Sequence, residues 1–256
     1  MTQLRMKGIK VRDLARIYVV GLGPGGPEDL TPRAKNALDG SDVIIGYTTY
    51  LDLIRDQFPG KELLGTGMTR EVERCRMVLD KALEGKTVSL VSSGDSGIYG
   101  MAGIMLEIVN KSGENVEVVV IPGITAASAA AAILGAPLMH DFAVISLSDL
   151  MTPWEQIIKR VDKAAEGDFV ICLYNPKSKS RSDYIDIARE HILKHRDGTT
   201  PAGIVRNAGR PDQQHVVTTL EDLPKHDIDM FSVVLIGNSR TYIENGKIIT
   251  PRGYEV

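Results

Sequence analysis

The 256-residue chain is poor in cysteine, with Cys75 and Cys172 alone, and poor in aromatics, with one tryptophan and four phenylalanines. Two thiols supply neither a disulfide framework nor a four-thiolate zinc site, and their scarcity fits a reducing compartment. No stretch reaches the roughly 18 uncharged apolar residues of a membrane span. The opening MTQLRMKGIKVRDLARIYVVGLG has positive charges but no long apolar run before a small-residue cleavage site, so no secretory leader is expected. Basic excess is missing too: 30 Lys and Arg against 33 Asp and Glu leave a formal net charge of -3, which argues against a general nucleic-acid binder. An anionic ligand would have to be met by local clusters of cations. These absences describe a soluble, cytoplasmic protein that binds neither nucleic acid nor membrane. They also include the usual catalytic signatures, for there is no nucleophile elbow, paired-carboxylate motif or metal motif. His191 and His195 stand at helical i, i+4 spacing without a third ligand, which reads as a solvated helix face rather than a metal site.

What is present is a repeated alternation of short β-branched runs with helical stretches, the pattern of an α/β protein. At about 150 residues per domain the length suits one large or two modest domains. Strands are expected at 17–20, 43–45, 87–91 and 116–121, then at 143–147, 169–174, 202–205, 215–218 and 232–236. Thr31 before Pro32 is an N-cap signal for a helix to about Asp39. Further helices fit 69–83, 99–110, 153–165 and 181–194, and the alanine-rich run 124–134 reads as a buried helix and hinge. The strands around Val205 and Val216 are separated by about nine turn-rich residues, fewer than the dozen or so of a parallel crossover, so the second sheet should be mixed. The expected architecture is two α/β domains, residues 1–125 with a mostly parallel sheet and 126–256 with a mixed one, and a ligand cleft between them. The boundary falls between Gly123 and Pro137.

The sharpest local feature is VVGLGPGGPEDLTP, in which Gly21, Gly23 and Gly26 have the dinucleotide-fingerprint spacing directly after a strand. That fingerprint works when the turn opens straight into a helix whose N-terminus holds pyrophosphate. Pro24, Pro27, Glu28 and Asp29 intervene here, so the helix cannot start before about Thr31, and two carboxylates sit where a phosphate would be. The second strand ends in Gly46 and Tyr47 rather than in an acid for ribose hydroxyls. Two readings stay open, a tight turn at the mouth of the sheet and close backbone approach to an unphosphorylated ligand. Similar loops follow other strands: SSGDSGIYG (92–100), IPGITA (121–126), LYNPKSKS (173–180), RNAGRP (206–211) and IGNSRT (236–241). Ligands of open α/β sheets sit outside the carboxyl ends of strands, so these loops imply a long crevice shared by both domains.

Taken together, VGLGPGG, GDSGIYG, IPGITA, LYNP, IVRNAG and IGNS, in this order from about Arg16 to Tyr254, resemble the S-adenosylmethionine-dependent tetrapyrrole methyltransferases of cobalamin and sirohaem synthesis. GYTTYLDLI, SSGDSGIYGMAG, LYNPKSKSR and the terminal TPRGY are most similar to the branch that methylates C17 of precorrin-3B or cobalt-factor III. The resemblance implies a homodimer with S-adenosylmethionine as cofactor and an anionic corrinoid precursor as substrate. Carried over residue by residue, it implies that Pro24, Gly94, Asp95, Ile98, Thr125, Ala126, Tyr174, Asn175, Asn207, Ala208 and Gly237 surround the cofactor. Asp95 has the alternative role of capping the following helix.

The physical reading agrees with this. S-adenosylmethionine has no phosphate, so its recognition needs close backbone contacts, which glycine and small residues allow. Methyl transfer from a sulfonium is an in-line displacement with an electrophile already activated, so alignment and exclusion of water matter more than a triad. C17 methylation in the family is coupled to contraction of the macrocycle, which requires proton movement at the substrate. Related uroporphyrinogen methyltransferases carry an aspartate just after the second strand, where this chain has Tyr47. Tyr47 is therefore the catalytic candidate, as a hydrogen-bond or proton-transfer group, with packing or substrate stacking as the alternative. A carboxylate-fringed substrate calls for Lys177, Lys179 and Arg181 after one strand and Arg206 and Arg210 around another, since arginine forks suit carboxylates. A nucleotide-dependent oxidoreductase and a non-catalytic tetrapyrrole carrier are the competing readings.

Overall fold

The computed structural model describes residues 15–178 and 181–255; Lys179, one of the expected substrate-binding cations, lies outside the described residues. The first sheet is fully parallel and contains β1 (Ala15–Gly21), β2 (Val43–Tyr47), β3 (Glu62–Thr66), β4 (Val88–Ser92) and β5 (Val116–Ile121), in the order β3-β2-β4-β1-β5. Helices α1 (Pro32–Asp39), α2 (Thr48–Asp52), α3 (Glu71–Leu83) and α4 (Ala102–Ser112) lie between its strands. Alternation explains the layering. Ile17, Val19, Val43, Ile45, Val88 and Leu90 pack on α3 and α4, whereas Val20, Ile44 and Val91 pack on α1 and α2. Both faces are therefore apolar, as expected of a parallel sheet covered by helices on each side.

The second sheet is mixed, with β7 (Phe142–Ser146), β8 (Val170–Tyr174), β9 (Pro201–Arg206), β10 (Gln214–Thr219) and β11 (Ser232–Ile236) in the order β10-β9-β11-β8-β7. β7 and β8 are parallel; β11 runs against both β8 and β9, and β10 runs against β9. Helices α6 (Trp154–Glu166) and α7 (Tyr184–Ile192) cover one face through Ile157, Val161, Ile185 and Ala188. The alanine-rich α5 (Ala126–Leu134) covers the other, where Leu134 is fully buried against Cys172, Val205 and Leu235. Its close approach needs Gly203, whose Cβ would stand 2.5 Å from Leu134. A third, small sheet joins β6 (Gly135–Ala136) to the hairpin of β12 (Tyr242–Glu244) and β13 (Lys247–Ile249).

Four helices, α3, α4, α5 and α7, start two or three residues later than their sequence pattern suggests, and at two of them the backbone gives the reason. Thr69 and Tyr99, expected as first residues, have φ of 62° and 54°, so α3 begins at Glu71 and α4 at Ala102. The left-handed backbone at these positions cannot continue a right-handed helix.

Candidate functional site

β1 and β4 are adjacent parallel strands, yet α1 leaves β1 toward one face and α4 leaves β4 toward the other. That divergence is a topological switch point, and it opens a crevice at the carboxyl ends of the two strands. The loops meeting there are bonded to each other. The Gly23 N–H donates to the Gly94 carbonyl at 3.1 Å, and the Gly94 N–H donates to the Gly23 carbonyl at 2.7 Å. A Cβ on Gly21 would lie 2.6 Å from the Gly123 nitrogen, so three loops pack backbone against backbone. Asp95 organises them: Oδ1 accepts from Gly97 and Ile98, and Oδ2 accepts from Gly123 at 3.0 Å. Its carboxylate thus holds the loop and the third strand end together, rather than capping α4.

The glycine turn does not lead into a helix. Pro27–Asp29 form a single 3₁₀ turn, and α1 begins at Pro32, capped by Thr31 Oγ1 accepting from Ala34 at 3.1 Å. The glycine turn thus feeds a 3₁₀ turn rather than an α-helix N-terminus, and Glu28 and Asp29 stand against Gly26 and Gly23. The arrangement disfavours a pyrophosphate and leaves close backbone approach as the reading of the loop.

The opposite wall comes from the second sheet, where β8 and β9 point the same way. Asn175 and Asn207, just past their ends, both adopt left-handed backbone, with φ of 50° and 51°. Asn175 Nδ2 donates to Ser146 Oγ, and Asn207 Nδ2 to Asp212. The Tyr174 hydroxyl shares a 2.6 Å hydrogen bond with Thr125 and accepts from the Ala127 N–H, so it fixes the start of α5. Two side chains cross between the domains. The Tyr99 hydroxyl donates to the Val144 carbonyl and accepts from the Ser146 N–H. Arg210 reaches back to the Pro24 carbonyl and to Ser93 Oγ, both at 3.3 Å. Burial pushes the phenols of Tyr50, Tyr99 and Tyr174 above their ordinary range, so they are protonated at neutral pH.

Between the walls lies a cavity of about 220 Å³. It is lined by Pro24, Tyr47, Gly94, Asp95 and Ile98 from the side of the first sheet, by Thr125 and Ala126 at the start of α5, and by Tyr174, Asn175, Asn207, Ala208 and Arg210 from the side of the second sheet. Twelve residues singled out in the sequence are therefore brought together. Gly237 is not: β11 is antiparallel to β8, so its carboxyl end is at the far side of the sheet. There Gly237 accepts from Arg196 and donates to Pro201, and a Cβ would stand 2.5 Å from Thr241. Gly237 is a packing glycine, and the IGNSRT loop lies outside the crevice. The basic residues are dispersed as well. Arg206 pairs with Asp229 at 2.7 Å, and Arg181 is held by Ser178 and lies 3.8 Å from Asp149. Neither of these, nor Lys177, lines the cavity.

Sequence reasoning missed Tyr50, Met68, Ser93, Tyr99, Met230 and Phe231, which also line it. Met68, Tyr99, Met230 and Phe231 are all exposed, which gives the mouth an apolar rim. An apolar rim around a polar cleft is a recognised mark of a ligand site. Tyr99 had a sequence signal, since a tyrosine between two glycines after a strand sits in the turn itself. Ser93 lies in the same SSGDSGIYG loop and Tyr50 in the GYTTYLDLI segment, whereas Met68, Met230 and Phe231 come from loops with no distinctive pattern.

His191 and His195 face Asp162 of α6 rather than the cavity, with His195 Nε2 at 3.1 Å from Oδ1. The hydrogen bond from His195 holds the Asp162 carboxyl below its usual range. Among the described residues no group of three or more His, Cys, Asp or Glu could hold a metal ion, and no helix is long and apolar enough to cross a membrane.

Comparison with known proteins agrees with this geometry. A probable cobalt-factor III C(17)-methyltransferase of Salmonella typhimurium is 48% identical over 93% of this chain and 99% of its own length. A precorrin-3B C(17)-methyltransferase of a Sinorhizobium species is 38% identical over 93% of this chain and 96% of that protein. Among solved structures, the methyltransferase CobJ superposes with a TM-score of 0.87 at 38% identity, covering 92% of this chain and 99% of that one. A uroporphyrin-III C-methyltransferase of Thermus thermophilus, solved with S-adenosylhomocysteine, superposes at 0.67 with 25% identity over 87% of this chain and 97% of that one. Residues 16–224 match the model of the tetrapyrrole (corrin/porphyrin) methylases, and the chain belongs to that family.

Proposed function

We propose that this protein is an S-adenosylmethionine-dependent C-methyltransferase that acts on carbon 17 of a corrinoid precursor in cobalamin biosynthesis. The observation that carries the reading is the cleft itself, in which backbone from three first-domain loops faces left-handed asparagines at the ends of β8 and β9. Cobalt-factor III is the preferred substrate over precorrin-3B, because the relative named for it is 48% identical and the relative named for precorrin-3B 38%.

The residues fit the cofactor on the chemistry of the donor set. Gly94 at φ 68°, paired with Gly23 at 77°, brings bare backbone to the cleft, and among the described residues the only cationic side chain lining the cavity is Arg210. Pro24, Gly94, Asp95, Ile98, Thr125 and Ala126 hold one side of S-adenosylmethionine, and Tyr174, Asn175, Asn207 and Ala208 hold the other. When bound, the cofactor supplies a methyl carbon already activated by its sulfonium charge. The chain's own contribution is alignment and exclusion of water. Tyr99 and Arg210 keep the two walls at a fixed separation. The exposed apolar rim of Met68, Met230 and Phe231 receives the face of the macrocycle. Tyr47, half-buried and in edge contact with Tyr50 at 5.1 Å between ring centres, is the group that exchanges a proton with the substrate. The domain boundary falls at 125/126, where α5 passes to the second sheet, and the protein works as a cytoplasmic homodimer.

Calorimetric titration with S-adenosylhomocysteine and with NADH tests the reading, followed by methyl transfer from labelled S-adenosylmethionine to cobalt-factor III. Binding of the first ligand alone and label at C17 are expected. Tight NADH binding with no binding of S-adenosylhomocysteine would overturn it.

A further inference from the structure

Among the described residues two arginines are buried, and they are built differently. Arg196, 7% exposed, donates to the carbonyls of Gly237 and Phe169 and lies 3.6 Å from Asp168, remote from the cleft. Arg74, in the first turn of α3 and only 3% exposed, has no carboxylate partner among the described residues. Its Nε donates to Thr66 Oγ1 at 2.7 Å and one terminal nitrogen donates to the Gly67 carbonyl at 2.9 Å. The other terminal nitrogen meets only the thioether sulfur of Met101, at 3.6 Å. A guanidinium withdrawn from water without a counter-ion is costly, by several kcal/mol in general, and neutral partners repay only part of that.

Arg74 also borders empty space. It lines a second cavity of about 200 Å³, separate from the cofactor cleft but sharing with it the wall formed by Tyr47, Tyr50, Met68, Ser93 and Tyr99. This volume is several times the roughly 30 Å³ share of one water molecule. Glu71 lines the same cavity and forms no ion pair with Arg74.

We propose that this second cavity is a carboxylate pocket for one acid side chain of the macrocycle, with Arg74 as the counter-ion and the hydroxyls of Tyr50 and Ser93 within the same wall as donors. The proposal rests on the tetrapyrrole reading of the neighbouring cleft. It assigns to Arg74 a positioning role: anchoring one arm of the ring fixes which edge of the macrocycle faces the methyl donor. Nothing in the local sequence, EVERCRMV, marks this arginine among its charged neighbours, because its distinction is burial beside a cavity rather than a motif.

The test compares binding of cobyrinic acid and of its fully methyl-esterified form to the protein saturated with S-adenosylhomocysteine. Wild-type protein should bind the acid more tightly than the ester. Arg74→Met should weaken the acid about 10-fold or more, the range for a hydrogen bond to a charged group, and leave the ester within about twofold. Arg74→Lys should keep a reduced preference for the acid. Thr66→Val, which cuts one brace and keeps the guanidinium, should keep the full preference. Affinity for S-adenosylhomocysteine should be unchanged in all three. Equal loss of acid and ester in Arg74→Met, or in Arg74→Lys if the first variant does not fold, would overturn the pocket and leave Arg74 as a brace. Wild-type protein that binds S-adenosylhomocysteine but neither corrinoid would instead overturn the substrate reading on which the pocket depends.

Discussion

The carbonyl oxygen of Gly94 occupies the space in which a Cβ on Gly123 would stand, so the loops after β4 and β5 touch through backbone alone. A side chain there has nowhere to go, because its neighbours are backbone rather than flexible tips. Gly123→Ala and Gly21→Ala should each destabilise the fold by about 3 kcal/mol or more, the upper end for overpacking. Gly94 differs. Its φ of 68° makes a side chain strained, by about 1–2 kcal/mol, but the nearest atom to its Cβ is 3.7 Å away. Gly94→Ala should therefore fold while losing most of its S-adenosylhomocysteine binding. Urea denaturation and calorimetry separate the two behaviours, and a Gly123→Ala protein as stable as wild type would contradict the packing.

Tyr99→Phe removes two hydrogen bonds that join the first domain to β7, one to Val144 and one from Ser146. Each such bond contributes about 1 kcal/mol, so affinity for S-adenosylhomocysteine should fall roughly 3- to 30-fold. The first sheet should be untouched, because the ring lies outside its cores. Hydrogen exchange at Ser146 should accelerate, whereas exchange within β1 and β4 should not change.

The parallel sheet was legible because each strand is a short β-branched run between helices with capping signals, and the helix begun by Thr31 and Pro32 is an example. β3, ELLGT, was not, since its burial is partial and Gly65 interrupts the pattern. The β12–β13 hairpin did carry a signal: Asn245 and Gly246, at φ 49° and 71°, form the Asn-Gly turn that favours hairpins. Its strands of three residues each are too short to show a period of their own. Loop chemistry located most of the cleft, but it could not tell which end of β11 faces it. Strand direction is fixed by pairing across the sheet, and for that reason the loop pattern alone places Gly237 at the wrong edge.

Cys75 and Cys172 are fully buried, and burial pushes both thiols up to about 12. An acid raised above its unfolded value contributes stability that is present below the ordinary thiol range near 8.5 and is lost as pH rises toward 12. Native protein at pH 8 should resist iodoacetamide, and both thiols should react once it is unfolded in urea. Stability should decline above about pH 9 as the unfolded thiols ionise. Rapid alkylation of native protein would show that one of them is reached by solvent.

The cations around the cleft should separate by their surroundings. Arg210 lines the cavity and is tied to the Pro24 carbonyl and Ser93, with Gly25 lying beneath its side chain. Replacing it by Gln removes a partly buried charge and a link between the walls. Charged hydrogen bonds of this kind are worth about 1.5–3 kcal/mol, so Arg210→Gln should raise KM for the tetrapyrrole about 10-fold or more and weaken the cofactor as well. Lys177 is half-buried and stands outside the cavity, where a solvent-accessible ion pair contributes about 1 kcal/mol at most. Lys177→Gln should raise the tetrapyrrole KM less than about fivefold, leave cofactor affinity alone, and lose its effect in high salt, since exposed charges are screened over about 8–10 Å. Arg181, restrained by Ser178 and Asp149, should affect loop stability more than either constant. A salt-independent loss in Lys177→Gln that equals the loss in Arg210→Gln would move the substrate's acid groups from the cleft to the loop after β8.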